Sequence, residues 1–344
     1  MHKLSRHLLV AVFLGSALIV AGCARSDTDS LGSNRASRQP GGAARRLTLA
    51  VIPKSIGGDF WETVEQGARD AARDLDVAIK WDGAAVETEL AEQNKIIENM
   101  VNLGVDGMAL APLNNRVMQK PVESVVAEGI PVVIFDSPVD GDAHVSYVGT
   151  DNVAGGALAA QHLAERLAQR DKNIFLLRYI QGTASTEQRT DGFMKAAEAA
   201  GLEVLAHPYS EDATVAGAIK TASNSLERFV RNGKLEIDGI FATNLFSTLG
   251  MLEALQELRQ SGIQIDAVFV GFDTSPKLLK DLQSGRIDAL VAQNPRRIGY
   301  LAVETLVRHL RGEQVEPIID TGVELVTRER LESDPEIRKL VGLE

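Results

Sequence analysis

The side chains best placed to do chemistry are those that follow short apolar runs: Lys54, Asp82, Pro112-Leu113-Asn114, Asp136, the segment after Ile180, Asn244 and Asp273. They are rich in hydrogen-bonding groups and hold few nucleophile–base pairs. The signals of bond-breaking chemistry are absent one after another. After the first apolar run the chain reads Pro53-Lys54-Ser55-Ile56-Gly57-Gly58-Asp59, which is no dinucleotide fingerprint, and no Gly-Lys-Ser/Thr phosphate cradle occurs. The six histidines, His2, His7, His144, His162, His207 and His309, show no paired metal spacing. There is no Gly-x-Ser-x-Gly elbow either. The sequence predicts no catalytic residue, no metal and no cofactor.

These positions matter because of the elements that precede them. LTLAVIP (47–53), VAIKW (77–81), GMALAP (107–112), PVVIFD (131–136), NIFLLRYI (173–180), LEVLAHP (202–208), DGIFAT (238–243) and DAVFVGFD (266–273) read as buried strands. Helix-period segments separate them, such as 60–75, 87–104 and 116–129. Nearly continuous apolar strands alternating with helices predict an α/β fold with parallel sheets covered on both faces. In open parallel sheets the ligand site lies beyond the carboxyl ends of the strands, which is why the residues there are singled out. Gly104, Gly129, Gly201, Gly262 and Gly312 close helical runs and read as C-caps with no ligand role.

The chain has 344 residues, 44% apolar, 24% charged and 5% aromatic, with 47 acidic against 36 basic side chains and a formal net charge of −11. Length alone suggests two domains of about 150 residues. The acidic balance argues against nucleic acid as a partner. A single cysteine, Cys23, excludes a disulfide framework and a thiolate zinc cluster. Ahead of it lie Lys3 and Arg6, then an apolar run from Leu8 to Val20, too short for a confident membrane span of about 20 residues. The segment resembles a bacterial lipoprotein signal with Val20-Ala21-Gly22-Cys23 as its lipobox, which implies cleavage after residue 22 and acylation of Cys23. An ordinary N-terminal anchor, or a secreted protein with an incidental cysteine, is the alternative. Ala24 after the cysteine lacks the aspartate of the inner-membrane retention signal, so sorting stays open. Residues 24–46, rich in Ser, Gly, Arg, Pro and Asp, are expected to form a flexible tether with a reach of about 25–30 Å.

Eight segments occur in order: AVIPKSIGGDFWETVEQGA (50–68), GVDGMALAPLNN (104–115), GIPVVIFDSPV (129–139), VSYVGTDNVAGG (145–156), QGTASTEQRTDGF (181–193), DGIFATNLFSTLGMLEAL (238–255), FVGFDTSPKL (269–278) and ALVAQNPRRIGYLAVE (289–304). Taken together they resemble the ribose-binding-like, type I periplasmic sugar-binding proteins of ABC importers, over about Leu47 to Thr327. The resemblance implies two doubly wound parallel-sheet lobes joined by a three-segment hinge that closes on a ligand. The crossovers fall near Gly149-Thr150-Asp151, Gln293-Asn294-Pro295 and Asp320-Thr321-Gly322. The N-terminal lobe then holds 47–149 with 294–320, and the C-terminal lobe 150–293 with 321–344.

The same resemblance assigns roles. Phe60 and Trp61 match an aromatic pair on which the apolar face of a sugar ring packs. The other reading is that both start an amphipathic helix and face the core. Asp136 matches a carboxylate that accepts two hydroxyls, and Arg189 a ligand-binding arginine rather than an exposed helix arginine. Asn244, Asp273 and Gln293 match at strand ends and at the second crossover. Lys54 stands where relatives often carry a small polar residue, either to donate to a ligand or to sit in solvent. Ser137 replaces an arginine, and Leu245-Phe246 replace a more usual polar residue; Phe246 either stacks on the ligand or packs at the hinge. These departures put the identity of the sugar in doubt. Asp136, Asp273 and Arg189 also allow an acid–base reading, but nothing places a labile bond between them.

The expected partners are a sugar or polyol, an ABC permease in the inner membrane and the membrane itself through a lipid anchor, with the protein monomeric on the envelope side. A sensory module showing a bound sugar to a chemoreceptor or kinase is the rival reading. A transcription regulator would need a helix-turn-helix ahead of the fold, where a leader and tether are read instead.

Overall fold

In a computed structural model of the protein, residues 45–343 are described; Cys23, the leader and nearly all of the expected tether lie outside them. The apolar runs form strands and the amphipathic segments helices. The first half-chain gives β1 (Thr48–Ile52), α1 (Asp59–Asp74), β2 (Ala78–Trp81), α2 (Leu90–Asn102), β3 (Gly107–Leu110), α3 (Gln119–Ala127), β4 (Val132–Phe135) and β5 (Ser146–Gly149). The pattern then repeats as α4 (Asn152–Arg166), β6 (Asn173–Leu177), α5 (Ala184–Ala199), β7 (Glu203–Ala206) and α6 (Val215–Leu226). A short ribbon follows, β8 (Val230–Arg231) and β9 (Lys234–Leu235), turned on Asn232-Gly233, a strong hairpin signal that the periodicity reading passes over. The series ends with β10 (Gly239–Ala242), α7 (Leu245–Gln260), β11 (Val268–Phe272), α8 (Pro276–Gln283), β12 (Ala289–Gln293), α9 (Pro295–Leu310), β13 (Ile318–Asp320), β14 (Val323–Thr327), α10 (Arg328–Ser333) and α11 (Pro335–Leu340). No helix among the described residues is long and apolar enough to cross a membrane.

Two six-stranded sheets carry the molecule, in the orders β13-β5-β4-β3-β1-β2 and β14-β12-β11-β10-β6-β7. The orders match position by position, so β4 corresponds to β11 and β5 to β12. Each sheet has a buried apolar cluster on both faces, as the run-like strands predict. One strand departs from the expected parallel arrangement: β14 is antiparallel to β12. The reason is geometric. The strands of both sheets end at the cleft, β13 runs with β5 toward it, and a chain that passes straight on into the second sheet must run away from it.

Sheet membership supports the division we propose for the lobes, 47–149 with 294–320 and 150–293 with 321–344. At the crossovers the chain is reset by helix caps. Asp151 accepts from the amide of Ala154 to start α4, and Asn294 accepts from that of Arg297 to start α9, with Pro295 next to it. The five helix-ending glycines named above all adopt positive φ, between 67° and 83°.

Candidate functional site

Asp136 and Asp273 follow the two corresponding strands, β4 and β11, and both take the left-handed conformation, with φ of 61° and 70°. Each amide is held by the next strand, Asp136 N to Val148 O at 3.0 Å and Asp273 N to Val291 O at 2.8 Å. Non-glycine residues adopt this conformation at a cost, offset here by fixed backbone bonds on either side. The effect is to turn both carboxyl groups off the sheet edges into the space between the lobes.

Lys54, at the end of β1, is 3% exposed, and its ammonium lies 2.7 Å from Asp136 Oδ2. It also donates to Ser185 Oγ of the other lobe at 3.3 Å. The Ser185 amide in turn donates to Ser137 Oγ at 3.1 Å. The two departures from the family pattern, Lys54 and Ser137, therefore meet on one residue across the cleft. Lys54 is not solvated; it forms a buried ion pair with Asp136.

In the second lobe, Arg189 on α5 is 2% exposed. Its Nε donates to Asn152 Oδ1 and its Nη1 to Thr243 O, both at 2.9 Å, and the guanidinium lies 3.7 Å above the Phe272 ring. These contacts fix the plane of the fork, so its remaining N–H groups are aimed without further ordering. Burial lowers the pKa of Arg189, opposed by Asp273 and Asp136. Burial raises that of Asp273, opposed by Arg189 and by the Gln293 amide. Gln293 Nε2 donates to Asp273 Oδ1 at 2.7 Å, and Gln293 Oε1 accepts from Thr150 Oγ1 at 2.8 Å. Thr150 Oγ1 stands 3.5 Å from Thr321 Oγ1. This chain joins a site carboxylate to all three crossovers. Asn244 serves first as the cap of α7, in a reciprocal box with Ser247, which leaves its Nδ2 for the cleft.

Trp61 lies at the boundary of core and cleft. It packs edge-on against Phe135 in the core of the first lobe and also lines the cleft, where its Nε1 donates to Glu87 Oε1 at 2.8 Å. Phe60 is half-buried and packs against the cores of both lobes. Facing them, Phe246 stacks on Tyr179 with planes 14° apart and centroids 6.0 Å apart.

All eight residues read from the sequence, Lys54, Phe60, Trp61, Asp136, Arg189, Asn244, Asp273 and Gln293, line one cavity between the lobes. Of the other strand-end positions, Asp82, Leu113 and Asn114 do not line it. Asp82 bonds to the next amide, while Asn114 caps the following turn and approaches Gly182 of the opposite lobe. Glu87, Tyr179, Thr183, Ser185 and Thr186 also line the cavity and were not named from the sequence. Three of these lie in the segment after Ile180, which the strand-end rule did flag. Glu87 sits at the far end of the long loop after β2, where that rule points to Asp82. Among the described residues no group of three or more His, Cys, Asp or Glu converges as a metal site.

Two matched sheets, a three-strand hinge and a polar, aromatic-walled cleft define a two-lobed binding protein. The chain belongs to the periplasmic binding protein domain family, which matches residues 49–314, and its fold is the type I arrangement that the ordered motifs imply. It is 27% identical to the ribose import binding protein RbsB of Bacillus subtilis, over 83% of this chain and 89% of that protein. It is similar to the carbohydrate transporter solute binding protein from Agrobacterium radiobacter in complex with D-arabinose, with TM-score 0.80, 31% identity, and 87% of this chain and 100% of that one covered. An Agrobacterium vitis ABC transporter solute binding protein with bound D-fucose matches with TM-score 0.78 and 31% identity, over 86% of this chain and 99% of that one.

Proposed function

We propose that this protein captures a monosaccharide or related polyol between its lobes and delivers it to an ABC permease, held at the membrane by lipid on Cys23. The observation that carries the reading is the composition of the cleft. Aromatic faces stand on two walls, and carboxyl, guanidinium and amide groups fixed by other bonds surround the space between them. Such a site grips C–H faces and hydroxyls and holds no nucleophile poised at a bond. The names of the related proteins, which bind ribose, arabinose and fucose, support the same substrate class.

Thermal unfolding of the purified protein against D-ribose, D-arabinose, D-fucose, D-allose and D-glucose tests it. A bound sugar at about 100 times its Kd stabilises by about 2.7 kcal/mol, a rise of a few degrees for a protein of this size. No shift with any neutral sugar at millimolar concentration overturns the substrate class. The anchor has its own test: Cys23→Ser is expected to move the protein from the membrane fraction to the soluble one, and unchanged membrane association overturns lipid attachment.

A further inference from the structure

The helix that carries Arg189, α5, is not capped by its own N-cap residue. Thr183 stands in that position, and its side chain makes no capping hydrogen bond. The amide of Ser185, in the first turn, donates instead to Ser137 Oγ at 3.1 Å. Ser137 follows β4 of the other sheet, so this acceptor comes from the opposite lobe. The first amides of a helix have no partner within it, and a side-chain oxygen is what usually satisfies one of them. A serine can accept that hydrogen; a side chain with donors only, such as arginine, cannot.

The turn that supplies the acceptor is also the one that aims Asp136. The Ser137 amide donates to Phe135 O at 2.7 Å, closing a tight turn on the left-handed Asp136. The carboxyl goes into the cleft and the hydroxyl after it reaches the opposite helix. Lys54 holds the same residue by its side chain, donating to Ser185 Oγ at 3.3 Å. Lys54 follows β1 and Ser185 lies on the helix after β6. These strands hold matching places in the two sheets, three removed from β5 and β12, which lead into the crossovers. Rotation about the crossovers therefore parts Ser185 from both partners. Ser137 is 1% exposed and is not among the residues that line the cavity, whereas Lys54, Ser185 and Arg189 are.

We propose that Ser137 is a positioning residue for sugar capture: it caps α5 from the opposite lobe when the cleft closes, and so holds the helix of Arg189 in place without touching the sugar. This rests on the reading of the cleft as a sugar site. In the open protein the Ser185 amide turns to water and the cap is lost, so the bond weighs on the closed state alone. Its worth is that of a helix N-cap, about fivefold in affinity. Because the cap forms after the sugar has entered, its loss falls on the dissociation rate and leaves association nearly unchanged.

The test uses the purified protein and the sugar that gives the largest thermal shift in the panel above. Binding and release are followed by stopped-flow tryptophan fluorescence, and exchange of the Ser185 amide by hydrogen–deuterium exchange with and without sugar. Ser137→Ala is expected to speed release about fivefold, with association nearly unchanged. Saturating sugar is expected to protect the Ser185 amide in the native protein and not in Ser137→Ala. The sugar-dependent protection in the native protein carries the test if Ser137→Ala fails to fold. A release rate unchanged in Ser137→Ala, or a Ser185 amide protected equally with and without sugar or equally in the variant, overturns the cap and leaves the sugar site standing. Binding of no sugar overturns the sugar site and this proposal together.

Discussion

Asp136→Ala is expected to abolish measurable sugar binding and to destabilise the protein by about 3–5 kcal/mol, the usual cost of leaving one partner of a buried ion pair alone. The ammonium of Lys54, 2.7 Å from the carboxylate and almost wholly enclosed, has no solvent to turn to. Alanine also adopts the left-handed backbone at φ 61° less readily than aspartate, which adds about 1–2 kcal/mol. Two further variants separate charge from shape. Asp136→Asn keeps the backbone preference and removes the charge, so it is expected to lose most of the affinity and the ion-pair share of the stability. Pairing it with Lys54→Met removes the stranded cation and is expected to restore stability without restoring affinity. Urea unfolding and calorimetry check both quantities. If Asp136→Ala unfolds at the native urea concentration, Lys54 is not held by this pair.

Gly156→Ala is expected to cost about 3 kcal/mol, at the upper end of ordinary overpacking, and to weaken sugar binding as well. α4 and α5 cross so closely that a Cβ on Gly156 would lie 1.9 Å from the carbonyl oxygen of Arg189. Backbone cannot step aside as the tip of a side chain can. The helix carrying Arg189 must shift, and its fork is aimed only while Asn152, Thr243 and the Phe272 ring hold it. The first lobe repeats the device, since a Cβ on Gly299 would meet Val64 O at 2.0 Å where α9 crosses α1. A melting temperature for Gly156→Ala within a degree of the native one would show that the helices separate without strain.

The departures at Lys54 and Ser137 gain a physical meaning from the closed cleft. An arginine after Asp136 would supply a fork to the ligand; here a lysine from a different strand neutralises the carboxylate. The serine in the arginine's place accepts a backbone hydrogen from the opposite lobe. Polar groups of the cleft are thus shared with contacts between the lobes.

The sequence by itself determined the α/β class, eight of the fourteen strands among the described residues, and the placing of the candidate residues at strand ends. Burial on both faces of a parallel sheet leaves an unbroken apolar run, and the topology of such sheets puts ligands at one edge. The ordered motifs extended that to the family. Only the tertiary structure decided what each group is free to do. Lys54 could be a solvated lysine or a site cation until Asp136 and Ser185 were seen around it, and Trp61 a core residue or a wall until it was seen at the boundary of core and cleft. Glu87 was invisible because a loop, not a strand end, carries it to the Trp61 indole. Strand ends are local and periodic, so a sequence reports them. Which carboxyl keeps a cation, and which goes without, depends on contacts between residues far apart in the chain, as between Lys54 and Asp136.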